Sequence, residues 1–198
     1  MHMFTFASSL REAIQLRADI PEHEIEDLIA NMQRREFTRG ENFVRQGDPA
    51  SSVGFVENGL FKAYGTSPKG MAYIRNFCSS GYFIGSYAAA IQSEPADMTI
   101  QALEDAVVIE VSFEILKSFF ERSLNWQKLA RTLAETHYIE RELKEFRLLS
   151  LSAVERYQLF WSENPHLQGR ISQADVASYI GVTPESLSRI LKALQKSV

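Results

Sequence analysis

The chain has 198 residues, 21 Lys and Arg against 25 Asp and Glu, a formal charge of −4 and one cysteine. Apolar residues at 45% and charged residues at 23% describe a packed globular protein of one or two domains, not a disordered chain. The lone Cys78 excludes an internal disulfide framework and a cysteine-held zinc or iron–sulfur cluster within one subunit. No apolar run approaches the roughly 18 residues of a membrane span, and none near Met1 is followed by a cleavage site, so a reducing cytoplasm is expected. The charge is uneven: residues 1–120 sum to −6 and residues 121–198 to +2, a sign that suits a C-terminal part meeting an anion.

Residues 8–34 read as helical, with Leu10, Ile14 and Leu16, then a start at Pro21 and Ile25, Leu28, Ile29 and Met32 at three-to-four spacing. Glu22, Glu24, Glu26 and Asp27 at the second start and Arg34 and Arg35 at its end complement the helix dipole. From residue 37 to 111 the texture changes to short apolar runs, predicting strands at 43–44, 53–56, 60–64, 71–77, 82–84, 99–102 and 107–111. The punctuation is Gly47-Asp48-Pro49, Asn58-Gly59, Ser67-Pro68-Lys69-Gly70, Ser80-Gly81 and Glu94-Pro95, and Glu104-Asp105 reads as a further turn. Asn58-Gly59 between two apolar runs predicts a hairpin, since both turn positions take positive φ. Regular short strands argue for an antiparallel roll or barrel.

Beyond residue 111 the pattern is helical. A short helix is predicted over 113–120 and a long one over 124–149. In the long helix Trp126, Leu129, Leu133, Thr136, Glu140, Leu143 and Arg147 form a three-four seam, with Ile139 and Phe146 off it. That seam suits helix-to-helix pairing between two subunits, with packing onto the chain's own domain as the alternative. Residues 152–163 carry Val154, Tyr157, Leu159, Phe160 and Trp161, and Asn164-Pro165 ends the helix.

Residues 171–194 carry the most specific signal. Ser172 caps a first helix with Asp175 three residues on, Gly181 breaks it, Thr183 caps a second, and Pro184 takes its first position. Val176, Ile180, Val182, Leu187 and Ile190 meet between the helices, with Ala177 small at the close approach. This is a helix-turn-helix. Its second helix presents Glu185, Ser186, Ser188, Arg189 and Lys192. An exposed Arg pairs bidentately with guanine in the major groove and a Glu accepts from cytosine, while Lys192 and Lys196 suit phosphates.

With these motifs the sequence resembles the Crp/Fnr family of bacterial transcription regulators over nearly its whole length. Residues 45–49 (Arg-Gln-Gly-Asp-Pro), 55–60 (Phe-Val-Glu-Asn-Gly-Leu) and 80–85 (Ser-Gly-Tyr-Phe-Ile-Gly) resemble the recurring turns of its β-roll. Residues 148–156 resemble its hinge, and 183–189 (Thr-Pro-Glu-Ser-Leu-Ser-Arg) its recognition helix, nearer the fumarate–nitrate reductase regulator branch than the catabolite activator branch. The resemblance implies an α+β fold. An antiparallel, jelly-roll-like cyclic-nucleotide-binding roll with flanking helices occupies 1–122, a dimerisation helix 123–149, and an all-α helix-turn-helix domain 150–198. It implies DNA contacts from Ser172, Thr183, Glu185, Ser186, Ser188, Arg189 and Lys192. It places an effector pocket at Phe83, Ile84, Gly85, Ser86, Tyr87 and Ala88, with Asp97, Met98 and Thr99, and with Arg141 and Glu142 of the long helix.

Three departures narrow that expectation. Cyclic-AMP binders follow the Gly-x-Phe-Ile-Gly stretch with a ribose-binding Glu and later show Arg-Ser-Ala for the phosphate. Ser86 replaces the Glu, and Ala96-Asp97-Met98 stands where Arg-Ser-Ala is expected. A carboxylate about 4 Å from a phosphate costs roughly 4 kcal/mol at an effective dielectric near 20, so cAMP and cGMP binding by the usual cassette is not expected. One cysteine leaves no iron–sulfur sensor, and His2, His23, His137 and His166 lack ligand spacing, so no haem and no metal is expected; His137 alone lies near the family's effector pocket. The chain stops at Val198, four residues past Leu194, resembling short members without the β-hairpin wing. Fewer phosphate contacts then predict weaker DNA binding and a shallower salt slope, at about 0.9 per contact.

The leading expectation is a homodimeric regulator reading a near-palindromic duplex, hinged around Ser150 to Ser152, with RNA polymerase as partner and an effector other than cAMP, or a vestigial pocket. The alternative is a ligand-binding module acting on a protein partner without sequence-specific DNA binding. No membrane role is expected. An enzyme is not expected either: Cys78 lies in an apolar strand, and no nucleophile triad or phosphate-binding Gly loop stands out.

Overall fold

The structure is a computed structural model that describes residues 9–66 and 72–196, with side chains as far as Leu194. The Ser67-Pro68-Lys69-Gly70 turn, Met71, His2 and the side chain of Lys196 lie outside the described residues.

Two short helices open the chain. α1 (Leu10–Gln15) is capped by Ser9, whose Oγ accepts from the Glu12 N–H at 3.2 Å. α2 (Glu22–Ala30) follows Pro21 with Glu22 and Glu24 in its first turn. It stops at Ala30, so Arg34 and Arg35 do not close it. They belong to a strand, β1 (Gln33–Phe37), which runs antiparallel to β8 (Ala106–Ser112) over five residue pairs. A mostly exposed, polar strand has no alternation to betray it; the ladder to β8 decides its conformation.

The remaining strands are β2 (Asn42–Val44), β3 (Ser52–Asn58), β4 (Leu60–Thr66), β5 (Ala72–Ser79), β6 (Phe83–Ile84) and β7 (Thr99–Ala102). They form two four-stranded antiparallel sheets, β1-β8-β3-β6 and β2-β7-β4-β5. Phe37, Phe43, Val56, Phe61, Cys78, Ile84, Ile100 and Val108 fill the space between them. The expected hairpin at Asn58-Gly59 is not one: β3 and β4 lie in different sheets, and the dipeptide carries the chain across. Gly59 has φ +106° while Asn58 stays at negative φ in a bulge opposite Val107. A Cβ on Gly59 would stand 2.4 Å from Ala106 Cβ, so close approach selects glycine here.

A helix the sequence reading lacked, α3 (Tyr87–Gln92), follows β6. Next come α4 (Phe113–Phe120), α5 (Leu124–Ser150), α6 (Ala153–Glu163), a 3-10 turn (Pro165–Leu167), α7 (Gln173–Tyr179) and α8 (Pro184–Lys196). Among the described residues no helix is long and apolar enough to cross a membrane.

The long helix corrects the expected dimer seam. Trp126 and Leu129 are buried, and Leu133 packs, in a cluster of the chain's own α1, α2 and α4. Thr136 bonds back to the Thr132 carbonyl, and Glu140 is half-buried beside His137. Of the expected seam only Leu143 joins the apolar residues that face away, Tyr138, Ile139, Phe146 and Leu149. At 100° per residue the two sets lie about 150° apart. A three-four pattern identifies apolar faces but does not say which one the chain itself covers.

A third cluster joins the roll to the helical half: Leu60, Ile74 and Phe77 of β4 and β5 pack with Phe160, Leu167, Val176, Ala177, Ile180 and Leu187.

Candidate nucleic-acid interface

The helix-turn-helix is built as its sequence suggests. Ser172 Oγ accepts from the Asp175 N–H at 3.0 Å and donates to the Asp175 carboxylate at 2.7 Å. Gly181, at φ +74°, makes the turn, and a Cβ there would stand 2.8 Å from Leu148 at the end of α5. Thr183 Oγ1 accepts from the Ser186 N–H at 3.2 Å and so caps α8. Val176, Ala177, Ile180 and Leu187 are buried between the two helices, and Val182 and Ile190 are half-buried.

With that face inward, α8 turns Glu185, Ser188, Arg189 and Lys192 to solvent, with Thr183 exposed and Ser186 half-exposed beside them. Arg189 is steadied by a 3.2 Å bond to Ser186 Oγ. Backbone and Thr183 hydrogen bonds, with Arg189 nearby, hold the Glu185 carboxyl below its ordinary range, so it is an acceptor at neutral pH. The face therefore offers one fork-shaped cation, one ammonium and one acceptor at helical spacing, a set able to read base edges. Ser172 is exposed at the start of α7, but its hydroxyl is engaged with Asp175.

The hinge is firmly tied. Ser152 and Glu155 form a reciprocal capping box at the start of α6. Arg147 grips Glu163 through two bonds of 2.7 Å, linking α5 to α6. Arg156 donates to the carbonyls of Leu151 (2.5 Å) and Ile180 (2.8 Å), joining the hinge to the helix-turn-helix. Arg156 closes the 148–156 stretch that resembles the hinge, but its carbonyl partners have no signal in the sequence.

In the roll, the expected pocket residues are only partly brought together. Ser86 is buried, and its hydroxyl donates to Asp97 at 2.7 Å. Asp97 also meets Arg75 of β5 at 2.5 Å. Burial pushes the Asp97 carboxyl up, but the bonds from Arg75 and Ser86 outweigh it and hold the group below its usual range. The charge at Asp97 is thus compensated from within the chain, and a cation the sequence reading had not placed there, Arg75, is already occupied. Thr99 Oγ1 accepts from the Gln46 N–H at 3.0 Å. Ile84 lies in the inter-sheet core with Met98 packed against it, Phe83 packs on Phe55, and Tyr87 meets Phe113 edge-on. Gly85 passes close to the Ser52 carbonyl. Arg141 and Glu142 are exposed on α5.

Cys78 is buried between the sheets, and burial, with Glu140 adding to it, pushes its thiol up to about 12, far from thiolate chemistry at neutral pH. His137 pairs with Glu140, and no cluster of three or more potential metal ligands occurs among the described residues.

Two family domains match the chain. The cyclic nucleotide-binding domain matches residues 34–123, and the Crp-like helix-turn-helix domain matches residues 127–197. Electron transport regulator A of Shewanella oneidensis is 28% identical over 188 residues, covering 88% of this chain and 72% of that protein. The CRP-like protein Clp of Xanthomonas campestris is 26% identical over 193 residues, covering 86% and 81%. Among solved structures, the c-di-GMP responsive regulator CLP of Xanthomonas campestris superposes with a TM-score of 0.74 at 22% identity, covering 89% of this chain and 93% of that one. FixK2 of Bradyrhizobium japonicum gives 0.71 at 22%, covering 84% and 85%.

Proposed function

The chain belongs to the Crp/Fnr family of transcription regulators, and from that premise we propose that it binds duplex DNA as a homodimer on a near-palindromic site. The observation that carries this is the exposed α8 face, with Glu185, Ser188, Arg189 and Lys192 outward over a buried Leu187. Two such helices, one per subunit, read half-sites about 34 Å apart. The second copy is held by the outward apolar face of α5, Tyr138, Ile139, Leu143, Phe146 and Leu149. The protein acts in the cytoplasm beside RNA polymerase and performs no chemistry of its own. It carries no resident metal, haem or iron–sulfur cluster.

The effector differs from cAMP and cGMP, or the pocket is vestigial. The resemblance aligns Asp97 with the stretch that holds the phosphate in cyclic-AMP binders, and Asp97 is already paired with Arg75 and Ser86. An entering phosphate has to break that pairing and face the carboxylate. Calorimetric titration with cAMP and with cGMP is expected to give no micromolar binding; micromolar binding by either overturns this part of the reading.

Replacing Arg189 by Ala tests the DNA function. Losing a bidentate base contact weakens specific binding by about 1–3 kcal/mol, roughly 5- to 150-fold. Folding and dimerisation are expected to be unchanged. If the wild type selects no specific site in a genome-wide pull-down, the regulator reading fails and a module acting on a protein partner takes its place.

A further inference from the structure

The edge strand of the second sheet, β5, carries a bulge where the roll meets the helical half. Ala63 of β4 stands opposite Asn76, but the next residue, Tyr64, stands opposite Ile74, so Arg75 has no partner across the ladder. Such an extra residue bends its strand, interrupts the ladder and re-aims a side chain. In a regular strand residues three apart point to opposite faces. Across this bulge Ile74 and Phe77 share a face, and both are buried in one cluster with Phe160, Val176, Ala177 and Leu187 of the helical half. The Arg75 side chain turns instead to the Asp97 carboxylate at 2.5 Å, which also accepts from Ser86 Oγ at 2.7 Å. Backbone groups beside the bulge are met from the helical half. Lys144 Nζ of α5 donates to the carbonyls of Ile74 and Arg75, each at 2.9 Å, and the Ile74 N–H donates to Ser178 Oγ of α7 at 2.9 Å.

We propose that this bulge couples the carboxylate of the roll's pocket to the docking of the helix-turn-helix. The Asp97–Arg75 pair holds the bulge, the bulge presents Ile74 and its backbone to α5 and α7, and splitting the pair favours release of the helical half. The consequence for DNA rests on the regulator reading above; the coupling itself does not.

The bulge has two discrete arrangements. Held, it gives Ile74 to the interdomain cluster and two carbonyls to Lys144. Ironed out, the strand slips by one residue, and a one-residue slip turns Ile74 to the opposite face. Asp97 holds the bulge from within the roll, while Lys144 and Ser178 hold it from the helical half. A two-state element biased from two sites is the physical requirement for coupling between them. A ligand beside Ser86 that takes Arg75 or Asp97 for its own polar groups favours the released state, in proportion to its differential affinity for the two states. Lys62–Asp175 and Arg170–Glu104 span the same junction without Arg75, so the bulge is one hold among several. The docked pose fixes α8 relative to the outward stripe of α5, and so sets the separation of two reading helices in a dimer.

The test is made on the full chain, with dyes on Lys117→Cys of α4 and Gln168→Cys just before α7, both exposed positions; buried Cys78 does not compete. Labelled subunits are mixed with excess unlabelled copies, and single-molecule energy transfer counts docked and released molecules. Asp97→Ala is expected to lower the docked-to-released ratio about fivefold, the scale of a partly exposed ion pair, although its partners Arg75 and Ser86 lie within the roll. Arg75→Met is expected to do the same, and the double variant to do no more than either, because both act through one pair. Glu110→Ala, which breaks the Arg35–Glu110 pair of the first sheet, is expected to keep the wild-type ratio. An Asp97→Ala ratio equal to that of wild type overturns the proposal. So does a double variant whose loss is the product of the two single losses. Because the readout contains no DNA, its failure leaves the regulator reading standing, and a failure to bind DNA leaves the coupling standing.

Discussion

The two halves of α5 solve opposite problems with similar residues. In the first half Trp126 and Leu129 are buried by the chain itself, against α1, α2 and α4. In the second half Tyr138, Phe146 and Leu149 are 63%, 61% and 81% exposed. Between them the helix turns polar: Glu140 pairs with His137 on α5 itself, Lys144 grips β5 of the roll and Arg147 grips Glu163 of α6. The helix therefore anchors by apolar packing at its start and by directed polar contacts further on. The apolar stripe of its second half is left uncovered by the chain itself. A hydrophobic anchor fixes the start of the helix on the roll, while the later polar contacts depend on the alignment of single donors and acceptors.

The comparison breaks most visibly at Trp126. Its ring is fully buried, meets Phe119 edge-on at 5.1 Å, and its indole N–H donates to Glu24 of α2. Trp126→Ala is expected to destabilise the protein by about 3–5 kcal/mol, from lost burial and the cavity left behind. Urea denaturation measures it, with wild type and variant at the same protein concentration so that any self-association enters both alike. A loss below about 1 kcal/mol would show that the first half of α5 is not the anchor.

How legible this was in the sequence follows the same division. The helix-turn-helix was readable because each of its signals is local: Ser172 and Thr183 cap the helices that follow them, Gly181 takes the positive φ that ends α7, and Leu187 recurs at helical spacing. The β-strands were readable where apolar runs fill the inter-sheet core, and β1 was missed because Arg34 and Arg35 face solvent and only the partner strand makes them extended. Asn58-Gly59 misled because a positive-φ glycine serves a sheet-to-sheet crossing as well as a hairpin. The pairing of Asp97 with Arg75, 22 positions apart, and the reach of Lys144 to β5, about 70 positions apart, have no local signature. Their chemistry exists only once the strands are registered.

Phe146 sharpens the comparison from the other side, with a smaller effect on the fold. It lies one turn from Leu143 and Leu149 on the outward stripe, where a charge has no cost in the isolated chain. Placed at a two-fold contact, the same charge meets its own copy, and like charges in a desolvated seam oppose association. Phe146→Glu is expected to change the stability of the single chain by no more than about 0.5 kcal/mol while shifting sedimentation from dimer to monomer at micromolar concentration. Binding to a full palindrome is then expected to fall to the affinity of one half-site, because the second recognition helix no longer arrives tethered to the first. If Phe146→Glu sediments as wild type while Trp126→Ala loses stability, the outward stripe of α5 is not the subunit contact, although the anchoring of its first half stands.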